Sequence, residues 1–207
     1  MIALLLAAAA GSSAIDAEKA FARDAQHIGQ WAAFRKWADR DAVMFVPQAA
    51  WARDFLKGRK EPPRAVRWQP AESIASCDGQ VAVNSGPWSV PGRKVQGRFT
   101  TIWINKAAGW RWIYDGGEPL AKRLPLPQRV KLVRASCSGR PTGAPIAPPP
   151  KIAPTGKSPA DLGRGESGDR TLGWDWKVGP KGARTLRVFQ WTGRAYRRVL
   201  DQHIAAE

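Results

Sequence analysis

GRFTTIWINKAAGWRWIYDGGEP, Gly97–Pro119, is the stretch that decides the fold. Its first half, within Val95–Lys106, mixes β-branched and aromatic residues and reads as a long strand. Ala107–Gly109 is a turn, and Trp110–Asp115 is the returning strand, with large aromatics at every second position. So aromatic a pair has a face that must be buried, and the rest of the chain has to supply its cover. Thr100 and Thr101 point to opposite faces, so one of them is directed inward and can donate to a ligand.

Towards the N-terminus the β pattern continues. Pro91-Gly92 tips a longer hairpin loop, and Gln80–Pro87 is a strand. Asp78-Gly79 is a two-residue hairpin signal. Val66–Pro70 and Ala71–Cys77 read as one strand or two short ones. Three helical segments precede them. Ile15–Ile28 places Ala17, Phe21, Ala25 and Ile28 on one face, with Asp16, Glu18 and Asp24 assigned elsewhere. Gly29 breaks it, and Gln30–Ala38 follows with Trp31, Phe34 and Ala38 on a face. Asp39-Arg40-Asp41 ends that helix, Ala42–Pro47 is a short strand, and Gln48–Leu56 is a third helix stopped by Gly58. The order of three helices and then an antiparallel meander predicts an α+β fold in which helices cover one face of the sheet.

Towards the C-terminus, Arg129–Cys137 is one more strand, carrying Arg and Lys outward at an edge. Residues 139–160 are rich in Pro and Gly and read as a linker. Thr171–Val178, Ala183–Trp191 and Arg194–Ile204 form a three-stranded β extension, too small to stand alone and expected to pack on the first domain or on a partner. The domain organisation is therefore a leader at 1–14, a main domain at 15–138, a linker at 139–160 and the extension at 161–207.

Residues 1–14, MIALLLAAAAGSSA, read as the apolar and cleavage regions of a signal peptide, with cleavage expected before Ile15. The apolar run is too short to span a bilayer. A periplasmic or secreted location follows, and there Cys77 and Cys137 are expected to form one disulfide. The 207 residues carry a net charge of +16, which raises nucleic-acid binding. The basic residues are spread along the chain without a run, stripe or known binding signature, which disfavours that reading and leaves anionic envelope surfaces as a target. Two His on different segments and the absence of a CxxC pair point to no metal, and no cofactor motif is present.

AEKAFARDAQHIGQWAAFRKWADRDAVMFVP, Ala17–Pro47, resembles the opening of SnoaL-like domains in the nuclear-transport-factor-2-like superfamily. Gly29 and the Ala38–Ala42 segment stand where that pattern has its Gly and its Ala-Asp-x-Asp-Ala. Gly97–Pro119 resembles the superfamily's last strand pair. The closest look is to uncharacterised exported bacterial members, a domain of unknown function. The resemblance covers roughly residues 14–119 and implies a curved sheet wrapped into a cone around an apolar cavity, with homodimers frequent among relatives. It also implies the isomerase, cyclase and dehydratase activities found in the superfamily, beside members that only bind ligands or assemble. The isomerase positions for a Tyr donor, a carboxylate base and an Asp donor fall at Ala22, Val46 and Thr100, none of which can do that chemistry.

Eleven Trp against two Tyr is the remaining signal. Trp31, Phe45, Trp68, Trp88, Trp103 and Trp112 are expected at the cavity wall with Thr101 and Asp115. Asp115 follows Trp110, Trp112 and Tyr114, where burial would raise its pKa, although an Asp before Gly116-Gly117 also closes turns. The first functional expectation is a non-catalytic domain binding a small apolar or amphipathic ligand, or a protein partner. The second is a cyclase, dehydratase or isomerase using Asp115 as acid or base.

Overall fold

The structure is a computed structural model that describes residues 13–143, 145, 159 and 161–206. The signal-peptide reading falls almost wholly outside these residues, and so does most of the 139–160 linker. Helix α1 (Ala14–His27) starts at a capping box in which Ser13 and Asp16 satisfy each other's backbone N–H groups. It buries Ala14, Ala17, Glu18, Phe21 and Ala25, so Glu18 lies on the apolar stripe and not off it as the sequence reading had placed it. The positions 14, 17, 18, 21 and 25 are the helical spacing itself. Helix α2 (Gln30–Trp37) follows the positive-φ Gly29 and runs directly into strand β1 (Ala38–Phe45). Asp39-Arg40-Asp41 thus belongs to the strand, with Asp39 paired to Lys106 at 2.6 Å.

The first part of the expected third helix is a strand. Ala49–Trp51 (β2) folds back on β1, and only Ala52–Leu56 (α3) is helical. The backbone there satisfies its hydrogen bonds across the β1 edge, which a helix reading of the same alanines does not reveal. Then come β3 (Arg67–Trp68), β4 (Glu72–Ala75), β5 (Val81–Ser89), β6 (Gln96–Lys106), β7 (Gly109–Pro119) and β8 (Lys131–Arg134). Seven of these strands form one path, β2-β1-β7-β6-β5-β4-β8, and β3 pairs with β5. The β4–β5–β6–β7 meander is antiparallel, and β1 on β7 and β8 on β4 add parallel pairings towards its margins. The α+β class expected for residues 14–119 is what the chain adopts.

A second sheet has the order β12-β11-β10-β9, from β9 (Leu162–Glu166), β10 (Leu172–Val178), β11 (Arg184–Trp191) and β12 (Tyr196–Ile204). Four strands stand where three were expected. The added strand, LGRGE, reads as loop because of its glycines, yet these are what let it lie under the tryptophans of β10. A Cβ on Gly163 would sit 2.3 Å from the Trp176 indole, and one on Gly165 would sit 2.2 Å from that of Trp174.

The two faces of the first sheet are buried in two separate cores. Ala42, Met44, Ala82, Trp103 and Trp112 pack against the helices through Phe21, Ala33 and Leu56. Val43, Val83, Ile102 and Tyr114 pack against Leu172, Trp174, Trp176, Leu186 and Val188 of the second sheet. The molecule is therefore three layers deep: helices, sheet, sheet. Polar bridges tie the two sheets together. Thr100 donates to Gln202 at 3.0 Å, Gln202 donates to Glu118 at 3.1 Å, and Arg184 donates to the Gly117 carbonyl at 3.0 Å. Cys77 and Cys137 are disulfide-bonded at this junction, where the Cys77 N–H donates to Thr171 at 2.8 Å.

Candidate functional site

The helix-facing side of the sheet carries a solvent-open cavity of about 170 Å³ whose walls include Phe34, Val66, Trp68, Trp88 and Phe99. Its one ionisable lining group is Asp115, beside Gly116 and Gly117. Asp115 faces this way because β7 is irregular. Ile102 is opposite Tyr114 and Trp103 is opposite Trp112, so Ile113 is an extra residue between them. Strict alternation from Trp110 and Trp112 would turn Tyr114 inward and Asp115 outward. The bulge reverses both, sending Tyr114 to the second sheet and Asp115 to the cavity beside its neighbour Thr101.

The Thr101 hydroxyl donates to Asp115 Oδ2 at 3.3 Å. Burial pushes the Asp115 carboxyl up to about 7, against the Thr101 hydrogen bond and the Arg184 charge, which both hold it down. The carboxyl keeps partial exposure through the cavity, so a wet cavity lessens the rise.

Below it lies a second carboxyl that sequence reasoning missed. Glu18 is fully buried and accepts from Trp103 Nε1 at 2.6 Å, Trp68 Nε1 at 2.8 Å and Asn84 Nδ2 at 3.4 Å. Asn84 also donates to the Ala14 carbonyl at 2.9 Å, which fixes the start of α1 over β5. Desolvation raises the Glu18 carboxyl to about 7, the indole donors oppose that rise, and the Asp115 charge adds to it. The readable signal was the position of Glu18 within the apolar stripe of α1, where an unpaired charge would be prohibitive.

The structure brings Trp68, Trp88 and Asp115 together on the cavity wall, with Thr101 bonded to Asp115 and Trp103 bonded to Glu18. Trp112 is buried edge-on to Phe34, at 6.0 Å between ring centroids. Trp31 lies apart on α2, against Phe34, Phe55 and the Arg59 guanidinium. Phe45 is on the opposite face, in contact with Tyr114 and Trp176 and covered by the Arg184 guanidinium. Alternation along β1 carries it there, since Met44 rather than Phe45 shares the helix side. Of the three isomerase positions, none lines the cavity: Val46 is exposed and Thr100 faces the second sheet. Among the described residues no group of three or more His, Cys, Asp or Glu could hold a metal ion, and no helix is long and apolar enough to cross a membrane.

Several solved structures are similar in fold over about half of the chain. A protein of unknown function from the DUF3225 family of Pectobacterium atrosepticum is 18% identical, with a TM-score of 0.39, covering 51% of this chain and 89% of its own. A Parabacteroides distasonis protein provisionally named a ketosteroid isomerase is 14% identical, with a TM-score of 0.43 and coverage of 52% and 88%. A cystatin-like fold protein from Burkholderia xenovorans is 15% identical, with a TM-score of 0.38 and coverage of 52% and 90%. No family model and no curated protein matches the chain. What this molecule does has to be read from its own side chains.

Proposed function

We propose that the chain is an exported binding domain whose aromatic cavity takes one small apolar or amphipathic molecule, held by its polar group at Asp115. The observation that supports this reading is a cavity of about 170 Å³ walled by aromatics, with a single carboxyl presented to it. A space near 150 Å³ lined by apolar side chains accommodates a benzene-sized ring. Asp115, neutral or charged, offers acceptor oxygens beyond the one bonded to Thr101, so a ligand with a hydroxyl or amine donor is preferred to a bare hydrocarbon. In this proposal residues 15–138 hold the ligand and 161–207 stiffen the back of the sheet. The disulfide accords with a periplasmic or secreted setting. A homodimer would need a sheet edge or an outer surface, because the second sheet already occupies the back face.

The test is an NMR titration of the indole N–H resonances with phenol and with benzene. Phenol is expected to shift Trp68 and Trp88 and to bind roughly fivefold or more tighter than benzene, the worth of about one hydrogen bond. In Asp115→Leu that preference should vanish. No shift with either probe at saturation would end the proposal.

The value near 7 reached by the Asp115 carboxyl favours a second reading, proton transfer to or from a bound substrate. A generic proton-abstraction probe, 5-nitrobenzisoxazole, should then react faster with rising pH through about 7, and Asp115→Asn should remove the effect. A rate equal to that of free buffer would reject it.

A further inference from the structure

A larger groove opens on the outer surface, between α1 and the β3–β5 margin of the sheet. It measures about 580 Å³ and is bounded by α1, β3, the end of β5 and the segment after β7. We propose that this groove is a second binding site, for a small amphipathic anion: an apolar body carrying one carboxylate, sulfonate or phosphate. The groove shares the Trp68 and Trp88 side chains with the Asp115 cavity but not Asp115 itself, and its cationic charge stands whether or not that cavity takes a ligand.

The charge in the groove is one-sided. Lys19 and Arg23, one turn apart on α1, face Arg67 of β3 and Arg123 of the segment after β7, and no acidic residue lines the space. None of these four cations makes an ion pair among the described residues. The acids nearest on α1 are otherwise engaged. Asp24 accepts from Lys36 and from Trp37, each at 2.7 Å, and Asp16 is held in the capping box. Lys19 and Arg23 do act on Asp16, and Arg23 acts on Asp24 as well, each lowering the carboxyl, but neither acid lines the groove.

The floor and walls are apolar. Trp68 and Trp88 are cross-strand partners and contribute to this groove as well as to the cavity. Pro70 and Pro87 flank them, and Leu126 stands 63% exposed at the rim. Two of the polar groups present are engaged: Gln26 donates to the Val66 carbonyl at 2.8 Å, and Gln69 donates to the Pro127 carbonyl at 3.1 Å, while the Trp88 Nε1 donor has no acceptor. The groove thus combines unpaired cationic charge with an aromatic and prolyl floor. That combination selects an anion with an apolar tail over a neutral apolar molecule or a bare inorganic anion. The volume is that of a small-molecule site and too little for a folded partner.

The test is calorimetry on the intact, disulfide-bonded protein with decanoate, decanol and inorganic phosphate. Vesicles of phosphatidylcholine with and without phosphatidylglycerol are run in parallel. Decanoate is expected to bind about tenfold or more tighter than decanol or phosphate, and high salt should weaken it. Arg67→Glu with Arg123→Glu should cost about tenfold. Arg194→Glu with Arg197→Glu, the same change of net charge on the exposed second sheet, should leave binding within about twofold. Equal affinity for decanoate and decanol would overturn the proposal, as would equal losses from the two charge reversals. Binding to anionic vesicles without uptake of decanoate would also overturn it and assign the surface to membranes.

Discussion

Trp103 Nε1 donates to Glu18 Oε2 at 2.6 Å while Trp68 Nε1 donates to the other oxygen at 2.8 Å, so one buried carboxyl joins α1, β3 and β6. Its pKa in the fold is about 7, above an ordinary value of 4.5. Between those values the folded chain holds a proton that the unfolded chain has lost, so stability falls as pH rises through this window. Below 4.5 the effect is absent, and above about 7 the full cost is present, on the order of 2–4 kcal/mol for a shift of this size. Urea midpoints should therefore decline from pH 5 to pH 8. Glu18→Gln, which cannot ionise, should lessen the decline and leave the part due to Asp115, though it is less stable at pH 5 by about 1–3 kcal/mol because an amide N–H2 faces an indole donor. A wild-type midpoint that rises over this range would contradict the assignment.

Arg184 reaches Asp115 from the other layer. Its guanidinium is buried, donates to the Gly117 carbonyl at 3.0 Å and is one of the two influences that hold the Asp115 carboxyl down. Arg184→Met keeps the apolar stem and removes the charge. The Asp115 titration, followed by carboxyl 13C shifts, is then expected to move above about 7. A downward move would mean that the second sheet has no electrostatic hold on the cavity.

The Cys77–Cys137 bond closes a loop of 60 residues at the junction of the two sheets. On the chain-entropy account its removal costs about 4 kcal/mol. Cys77→Ser with Cys137→Ser should lower the unfolding free energy by that amount, read as a lower urea midpoint, and the unreduced parent should show no reactive thiol. A variant as stable as the parent would place the constraint elsewhere, in the Thr171 and Gln190 bonds that bridge the same junction.

What the sequence made legible follows from periodicity. The strands β5 to β7 and the two longer helices announce themselves through alternation or helical spacing. Three things were hidden for physical reasons. Glu18 looks like a surface charge until its stripe partners are counted, because only the donors Trp68, Trp103 and Asn84, which lie 50, 85 and 66 residues away, make its burial tolerable. Phe45 fits a cavity wall by type, and only its place opposite Met44 in the β1 alternation sends it to the other core. Asp115 lines the cavity, but the inserted Ile113 that turns it inward leaves no mark in the composition of the strand.

β9 was hidden for a related reason, and it supplies the sharpest mutational test of the second sheet. Gly165 is opposite Trp174 in the β9–β10 register, and the indole lies where a side chain would be. Gly165→Ala places a methyl 2.2 Å from Trp174 Cζ2, so the ring or the strand has to move. Trp174 is buried against the first sheet, which leaves β9, an edge strand, as the element that yields. The expected cost is about 1–3 kcal/mol, with faster amide exchange confined to β9 and β10. Gly168→Ala, in the turn after β9 with nothing within 4 Å of its would-be Cβ, is the matched control and should change little. Equal destabilisation by the two substitutions would show that the tryptophan overhead is not what requires glycine at 165.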